Sequence, residues 1–305
     1  MMSHGKTLKK KIQHVFEYLF VRAFHVLVKI TPGKLREPFA DSLATIARLI
    51  TRSRVEIARK NLKLVFSESS DEEIKPIIRG VYRNIAQNAF DIVDARAAFS
   101  RIVIPPQAAA SLERVRETLA GGRPVVFATG HIGNWEILGQ YIGCEFKECR
   151  FVAQEQSNKY IDRYINDLRI AQMENNKIIH SHAAARELPK ALKRGAPIFL
   201  VADQDAGKDG IVVDFMGTQA SYHRGIASFS YHYNAPLAPI FLVRSGGKMT
   251  LVIPAIVEPN TAAAREEEFK RLVSVFSEQL GAVVQRYPDQ WLWTHRRWKS
   301  TVMKY

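Results

Sequence analysis

Residues 124–138 read PVVFATGHIGNWEIL, an apolar run that passes through a glycine-containing turn into a second apolar segment. Short apolar runs bounded by turn signals are typical of buried strands. Four similar runs follow, separated by segments of helical period. This alternation predicts an α/β fold with a largely parallel sheet. The predicted strands are 124–129, 150–153, 197–202, 237–243 and 249–256, and the predicted helices lie near 111–120, 135–143, 158–174, 183–194, 223–233 and 263–286.

His131 follows the first predicted strand and lies five residues before Glu136. Two residues five apart on one helix differ by about 140° and face different sides, so the pair can meet only if a helix begins between them. Asn134 is a favoured helix N-cap, which leaves His131 in the loop and Glu136 in the first turn. Glu136 would then orient His131 as a general base for a hydroxyl nucleophile. Spacing alone also allows a histidine and a glutamate that only cap and pack.

Acidic residues follow the predicted strand 197–202, in the sequence DQD at 203–205. Functional sites in parallel sheets collect at the carboxyl ends of the strands, where Asp203 and His131 both fall. Asp203 and Asp205 have ligand atoms for a metal, but capping and loop ordering are commoner roles. The sequence HSH at 180–182 offers two further ligands and no evident third.

The net charge of +14 is concentrated at the two ends of the chain. Residues 1–65 contain fourteen Lys and Arg against four Asp and Glu, and residues 294–305 contain four basic residues and no acid. Residues 66–293 contain 26 of each sign. A nucleic-acid-binding domain more often carries its basic residues on its own folded face. Basic ends on a neutral body favour docking to an anionic membrane surface.

The N-terminal apolar stretch, residues 15–30, is shorter than the ~20 residues that a spanning helix needs. Arg22, His25 and Lys29 fall within about 60° of one another on a helix whose remaining positions are mostly aromatic or aliphatic. This pattern predicts a basic amphipathic helix in a membrane interface. The alternative is a helix that packs on the domain with its basic stripe in water. The stretch lacks a small-residue cleavage site, so we do not expect a removable signal peptide.

The chain divides into three predicted segments: a membrane-associating helix (1–32), a helical region that packs on the core (33–110), and one α/β catalytic domain (111–305). Apolar residues at spacings of three and four run through 39–99, and SSDEE at 69–73 has the composition of a capped helix start. The sequence contains no GxSxG, P-loop or GxGxxG motif. Cys144 and Cys149 are read as free thiols.

The sequence GHIGNWE (130–136) resembles the HxxxxD/E motif of the glycerolipid acyltransferase superfamily, and more closely that of the late acyltransferases of lipid A biosynthesis. The resemblance covers nearly the whole chain, because five further motifs follow the family order. These are RKNLKLVFSE (59–68), NKYIDRYINDLR (158–169), ARELPKALKRGAPIFLVADQD (185–205), GIVVDFMGTQA (210–220) and PDQWLWTHRRWK (288–299).

The resemblance implies an αβα sandwich around a mostly parallel sheet. It implies transfer of a fatty acyl group from a thioester, on acyl carrier protein or coenzyme A, to a hydroxyl of a lipid A precursor. His131 would be the base and Glu136 its orienting partner, with no covalent intermediate, metal or cofactor. The oxyanion donors would be Arg169 or backbone N–H groups near Asn134. The expected substrate-binding or site-ordering residues are Asn134, Arg169, Asp203, Gln204 and Gly217.

The expected partners are the acyl donor, an anionic lipid acceptor and a membrane surface, with no nucleic acid. The expected location is the cytoplasmic face of the bacterial inner membrane. The N-terminal helix and the basic tail HRRWK (295–299) would serve membrane, acceptor phosphates or carrier protein. Asp205 and Met216 depart from the family pattern, which leaves chain length and acceptor open. The alternatives are another acceptor, such as a phosphatidylinositol mannoside or an ornithine-type lipid, and a catalytically inactive membrane- or carrier-binding protein.

Overall fold

The computed structural model describes residues 2–173 and 176–305, and for residues 2–8 it describes the backbone only. Met1, which belongs to the predicted segment 1–32, lies outside the described residues. Residues 174–175, at the end of the predicted helix 158–174, also lie outside them. The chain begins with a helical region, as predicted. Ser70 and Glu73 form a reciprocal capping box at the start of its longest inner helix, which confirms the predicted capped start. The helices are α1 (Met2–Ile30), α2 (Gly33–Ile50), α3 (Arg52–Val65), α4 (Asp71–Val93) and α5 (Ala95–Phe99).

Strands and helices alternate through the rest of the chain, which confirms the α/β class. In chain order the elements are β1 (Ile102–Val103), α6 (Pro106–Ala120), β2 (Val126–Thr129), α7 (Trp135–Glu145), β3 (Arg150–Ala153), α8 (Lys159–Ile170), β4 (Lys177–His180), α9 (Ser181–Leu192), β5 (Ile198–Val201), β6 (Ile211–Phe215), β7 (Thr218–Tyr222), α10 (Gly225–His232), β8 (Leu237–Pro239), β9 (Phe241–Ser245), β10 (Lys248–Val252) and α11 (Arg265–Arg286). Helix α6 crosses the predicted boundary between 110 and 111, and the segment boundaries stay predictions.

The central sheet has five parallel strands in the order β4-β3-β5-β2-β8. Alternate residues of β2 enter different hydrophobic clusters, Val126 in one and Phe127 in the other, because successive side chains of a strand point to opposite faces. Helices α9, α10 and α11 contribute buried side chains to the first cluster, and α6 and α7 contribute to the second. Both faces of the sheet are therefore covered, which gives three layers.

The predicted strand 237–243 is two strands in different sheets. Strand β8 pairs with β2 as far as Pro239, and β9 pairs with β10 in a three-stranded sheet that also contains β1. Proline has no N–H to continue a ladder, and the apolar run gave no sign of the break.

Four strands were not predicted from the sequence, and one of them, β1, contains only two residues. Strand β4 forms the edge of the parallel sheet, and β6 with β7 form an antiparallel hairpin. Met216 and Gly217 join the hairpin, both with positive φ, as a tight two-residue turn requires. Lys, His and Thr interrupt the apolar pattern of these strands, so the pattern did not reveal them.

Within residues 2–173 and 176–305, no helix is both long and apolar enough to cross a bilayer. Helix α1 lies against α8 and α4. His25 contacts Tyr164 of α8, and Val28 is fully buried against α4.

Candidate active site

His131 lies in the loop between β2 and α7, at the carboxyl end of β2 and next to the end of the central strand β5. Asn134 caps α7, because its Oδ1 accepts the N–H of Ile137 at 3.0 Å. This confirms the predicted helix start at Trp135. The loop is packed tightly, since Gly133 has a φ of 57° and a Cβ there would lie 2.0 Å from the carbonyl oxygen of Leu242. Only glycine fits both this conformation and this contact.

Asp203 is the partner of His131. Its Oδ1 accepts the imidazole Nδ1–H at 2.6 Å, and its Oδ2 accepts the backbone N–H of His131 at 2.7 Å. Trp291 donates its indole N–H to the same Oδ2 at 2.8 Å. The carboxylate comes from the end of β5, which pairs with β2 in the sheet. It is buried, and these three hydrogen bonds fix its position beside the imidazole.

The charges of this pair stabilise each other. Burial by itself would lower the pKa of His131, but the charge of Asp203 and their hydrogen bond outweigh burial and raise this pKa above its usual 6.5. Burial would raise the pKa of Asp203, but the charge of His131 and the hydrogen bonds that the carboxylate accepts lower it to about 2. Asp203 is therefore ionised at neutral pH and holds the His131 proton on Nδ1, which leaves Nε2 as the basic nitrogen.

Glu136 has a different partner from the one expected. Both of its carboxylate oxygens accept from Arg169, at 2.8 Å from Nε and 2.6 Å from Nη2. The predicted orienting contact with His131 is thus replaced by a two-point ion pair between α7 and α8. The reason is geometric: Asp203 reaches Nδ1 from the neighbouring strand, whereas the first turn of α7 faces the guanidinium.

A cavity of about 640 Å³ opens beside the His131–Asp203 pair. His131, Glu136, Arg169 and Gln204 all line it, so the structure brings four of the predicted site residues to one place. Further walls are mostly apolar and come from α7, β3, β5, α9 and α10. Strands β3 and β5 pair over only two residues, whereas β3 with β4 and β5 with β2 pair over four. The cavity therefore lies where the sheet opens at its carboxyl edge.

The loop leaves few N–H groups free for an oxyanion. Gly133 donates its N–H to the carbonyl of Gln290, and Asn134 donates its N–H to the carbonyl of Leu242. Among the residues described, the first-turn N–H groups of Trp135 and Glu136 have no acceptor. These two groups and the Arg169 guanidinium thus remain available among the predicted oxyanion donors.

Gly217 lies apart from the cavity. It occupies the hairpin turn between β6 and β7, where its N–H donates to Asp214. One residue of the basic C-terminal tail also differs from the expectation, whereas Arg296 and Lys299 are exposed. Arg297 is completely buried, donates to the carbonyl of Ser221 and lies 4.1 Å from the ring centre of Tyr222. This arginine supports the core and is not available to a membrane or carrier.

A polar cluster that was not predicted from the sequence lies beneath the loop. Asn84 and Asn88 of α4 donate to the carbonyl of Gly133, at 2.9 and 2.8 Å. Asp91 of α4 accepts from Asn134 at 2.9 Å and from Arg244 at 2.6 Å. Asn84, Asn88 and Asp91 recur at helical spacing in and just before IAQNAFDIVD (85–94). A stripe of polar residues on an otherwise apolar helix was the sequence signal that could have revealed this cluster.

A group of possible metal ligands lies near the cavity, where atoms of Glu155, Asp162 and His180 come within 4.8 Å of one another. The two carboxylates already have local roles. Asp162 accepts the backbone N–H of Gln156 at 2.7 Å, and Glu155 forms an ion pair with Lys159. These contacts order the loop that leads into α8.

Comparison with known proteins identifies related sequences along the whole chain. A model of the family described as bacterial lipid A biosynthesis acyltransferase matches residues 5–300. The lipid A biosynthesis palmitoleoyltransferase of Escherichia coli is 22% identical over 85% of this chain and 83% of its own length. The myristoyltransferase of the same pathway and organism is 21% identical over 87% and 81%. A phosphatidylinositol mannoside acyltransferase of Mycolicibacterium smegmatis is 22% identical over 61% and 60%.

Proposed function

Because the chain belongs to the bacterial lipid A biosynthesis acyltransferase family and is an acyltransferase, we propose that it moves a fatty acyl chain from a thioester to a hydroxyl of a lipid A precursor. The donor is acyl carrier protein or coenzyme A carrying the chain. The observation that carries this proposal is the His131–Asp203 pair at the wall of a largely apolar cavity.

The proposed reaction needs one base and one oxyanion site. His131 takes the proton of the acceptor hydroxyl on Nε2 as the oxygen attacks the thioester carbonyl. The new C–O bond forms, the C–S bond breaks, and the imidazolium returns its proton to the departing thiolate. Asp203 stabilises the imidazolium between these steps. A thiolate is a good leaving group, so the step requires no acyl-enzyme.

The pair Glu136–Arg169 supports the oxyanion in this proposal. Glu136 fixes the planar guanidinium at the cavity wall by two hydrogen bonds, and a fixed cation costs little reorganisation when negative charge develops. The N–H groups of Trp135 and Glu136 are the second set of donors. Glu136 thereby keeps a place in catalysis through Arg169.

The cavity receives the acyl chain in this proposal. Along α7, Glu136, Gly139 and Gln140 line it at one-turn spacing, and along α9 Ala184 and Leu188 do the same. The walls beyond Glu136 therefore continue inward from the site of chemistry. A volume of about 640 Å³ lies within the ~300–1,000 Å³ usual for ligand pockets.

We further propose that the protein works at the cytoplasmic face of the inner membrane and that α1 lies in the interface. Its outward stripe contains Phe16, Phe20 and Ile30, which are 68%, 76% and 69% exposed. Arg22 and Lys29 lie at the edge of this stripe next to α8 and α4. Exposed aromatic and aliphatic side chains on a basic helix favour burial at the headgroup boundary.

The test is mass spectrometry of lipid A from cells with and without the protein. Expression of the wild-type chain should add one acyl group to the precursor, and His131→Ala should abolish this addition while the protein stays folded by circular dichroism. An unchanged lipid A profile with a shifted profile of another lipid would contradict the lipid A acceptor. Unchanged lipids of every class would favour the catalytically inactive binding protein.

A second candidate acceptor is a phosphatidylinositol mannoside, which the similarity to the M. smegmatis enzyme favours. The same base and cavity would serve this reaction. An in vitro panel of tetraacylated lipid A precursor, phosphatidylinositol mannoside and ornithine-type lipid, each with the same acyl donor, separates these acceptors by product mass.

A further inference from the structure

Helix α2 has an apolar face that is exposed on the outer side of the described chain. Leu35, Ile46, Leu49 and Ile50 are 56%, 55%, 55% and 76% exposed. At ~100° per residue they fall within about 100° of one another, so they form one side of the helix. We call these four residues the α2 face. Soluble proteins rarely group large exposed apolar side chains in this way without a partner.

The inner sides of α1 and α2 rest on the same support. Val28 of α1 and Ala40 of α2 are buried in one cluster with Phe90 and Val93 of α4. Because both helices bury their inner sides on α4, the outer stripe of α1 and the α2 face both point away from it. Phe24 of α1 and Phe39 of α2 both pack on the ring of Phe90, so the two helices lie on the same face of α4 and their apolar surfaces lie on the same side of the helical region.

Basic residues accompany both surfaces. Lys9, Lys10 and Lys11 are exposed at the start of α1, Lys34 is exposed in the first turn of α2, and Arg52 is exposed two residues after Ile50, at the start of α3. Within residues 2–173 and 176–305, neither Lys34 nor Arg52 forms an ion pair. An apolar face with unpaired basic side chains at its two ends complements anionic headgroups above acyl chains. A protein partner with an apolar surface alone would leave these charges without counterions.

We propose that α2 is a second membrane-docking helix, and that α1 and α2 enter the headgroup region of an anionic bilayer side by side. This inference rests on the proposed function, which places the protein at the inner membrane. It adds α2 as a second helix that binds the bilayer. The α2 face supplies apolar contact area, and Lys34 and Arg52 at its two ends pair with lipid phosphates.

Vesicle binding of the full chain tests this proposal. The variant Ile46→Gln/Leu49→Gln/Ile50→Gln should partition about tenfold or more weakly into vesicles of equal parts phosphatidylethanolamine and phosphatidylglycerol, because three side chains lose their apolar burial in the lipid. The matched control Ile104→Gln/Val212→Gln changes two residues that are also exposed, on other surfaces, and should bind like wild type. Wild-type affinity of the triple variant would overturn the proposal.

A probe on α2 gives an independent readout. An environment-sensitive fluorophore on Leu49→Cys, in a Cys144→Ser background that removes the exposed native thiol, should shift to the blue on these vesicles. The same probe on Val212→Cys should not shift. An unshifted Leu49→Cys probe, or a shift that appears on self-association in the ultracentrifuge without lipid, would overturn the proposal, and the second result would assign the face to another copy of the chain.

The acyl-transfer assay separates this inference from the proposed function. With acceptor and donor dispersed in detergent, the triple variant should keep wild-type turnover, because none of its changes lies near the cavity. If wild-type protein fails to transfer any acyl chain yet binds vesicles through the α2 face, the proposed function fails and the docking inference stands.

Discussion

At the scale of single residues, the site depends on which carboxylate meets His131. Asp203 reaches the imidazole because β2 and β5 are neighbours in a parallel sheet, so their carboxyl ends lie side by side. Glu136, only five residues away in sequence, pairs with Arg169 instead. Two carboxylates with separate partners have separate tasks: one sets the basicity of His131, and the other fixes a cation at the cavity wall.

Asp203→Asn should lower kcat by about 10³-fold, since the buried imidazolium loses its counter-charge. The pH profile gives the specific signature. A general base is active when unprotonated, and the pKa of His131 is raised, so wild-type kcat/KM should fall on the acid side at a pH above 6.5. Removing the charge of Asp203 leaves burial to lower this pKa, so the acid limb should move to lower pH.

Glu136→Gln is the contrasting variant for this measurement. This variant breaks the ion pair with Arg169 and leaves Asp203 in place. We therefore expect kcat to fall, whereas the pH at which kcat/KM declines on the acid side should shift much less than in Asp203→Asn. If Glu136→Gln shifts the limb as far as Asp203→Asn does, Glu136 and not Asp203 sets the basicity of His131.

The sequence was informative about residues whose roles are local. Asn134 as N-cap follows from residue type and from the need for a helix start between His131 and Glu136. The contact of His131 with Asp203 joins residues 72 apart. This contact can be predicted only if the order of the strands in the sheet is known, and the pattern of apolar residues does not reveal that order.

At the scale of elements, α7 and the loop before it are held from below by α4. Asn84, Asn88 and Asp91 bond the loop at Gly133 and Asn134, and Arg244 of β9 links these side chains. The predicted helical region 33–110 thus contributes directly to the geometry of the site. Strands of continuous apolar residues were predictable, whereas β4, β6 and β7 were not, because polar residues interrupt them.

Gly133→Ala should inactivate the enzyme and lower its thermal stability. The new Cβ meets the Leu242 carbonyl, and the left-handed conformation alone costs an alanine about 1–2 kcal/mol. Gly217→Ala is the matched control, since Gly217 has a φ of 82° with open space around it. The Gly217→Ala variant should lose only the ~1–2 kcal/mol of stability that the left-handed conformation costs an alanine, and it should keep its activity. Calorimetry and acyl-transfer rates check both variants, and an active Gly133→Ala enzyme would show that the loop tolerates displacement.

At the scale of the whole molecule, charge and apolar exposure coincide at one end of the fold. The neutral body carries the site, and the first 65 residues carry most of the basic excess together with α1 and α2. Composition predicted this division correctly for the N-terminus. In the C-terminal tail Arg296 and Lys299 are exposed, and only Arg297 departs from the expectation, because a sequence pattern cannot distinguish an exposed arginine from one enclosed by aromatic rings.

Deletion of residues 1–32 should move most of the protein from the membrane fraction to the soluble fraction of a cell lysate. The remaining chain keeps α2, so weak binding to anionic vesicles should persist and should disappear at high salt. Immunoblots of sedimented membranes measure the distribution. A deletion variant that stays entirely with the membranes would show that α1 is not the principal anchor.

The four tryptophans of the chain give the site an optical property. Trp135 meets the His131 ring edge to face at 5.2 Å, Trp291 bonds Asp203, and Trp293 and Trp298 pack around Trp291. The intrinsic tryptophan fluorescence therefore originates beside the His131–Asp203 pair. An imidazolium quenches a neighbouring indole, so the emission of the unlabelled enzyme follows the charge of His131 and the arrival of a ligand next to it.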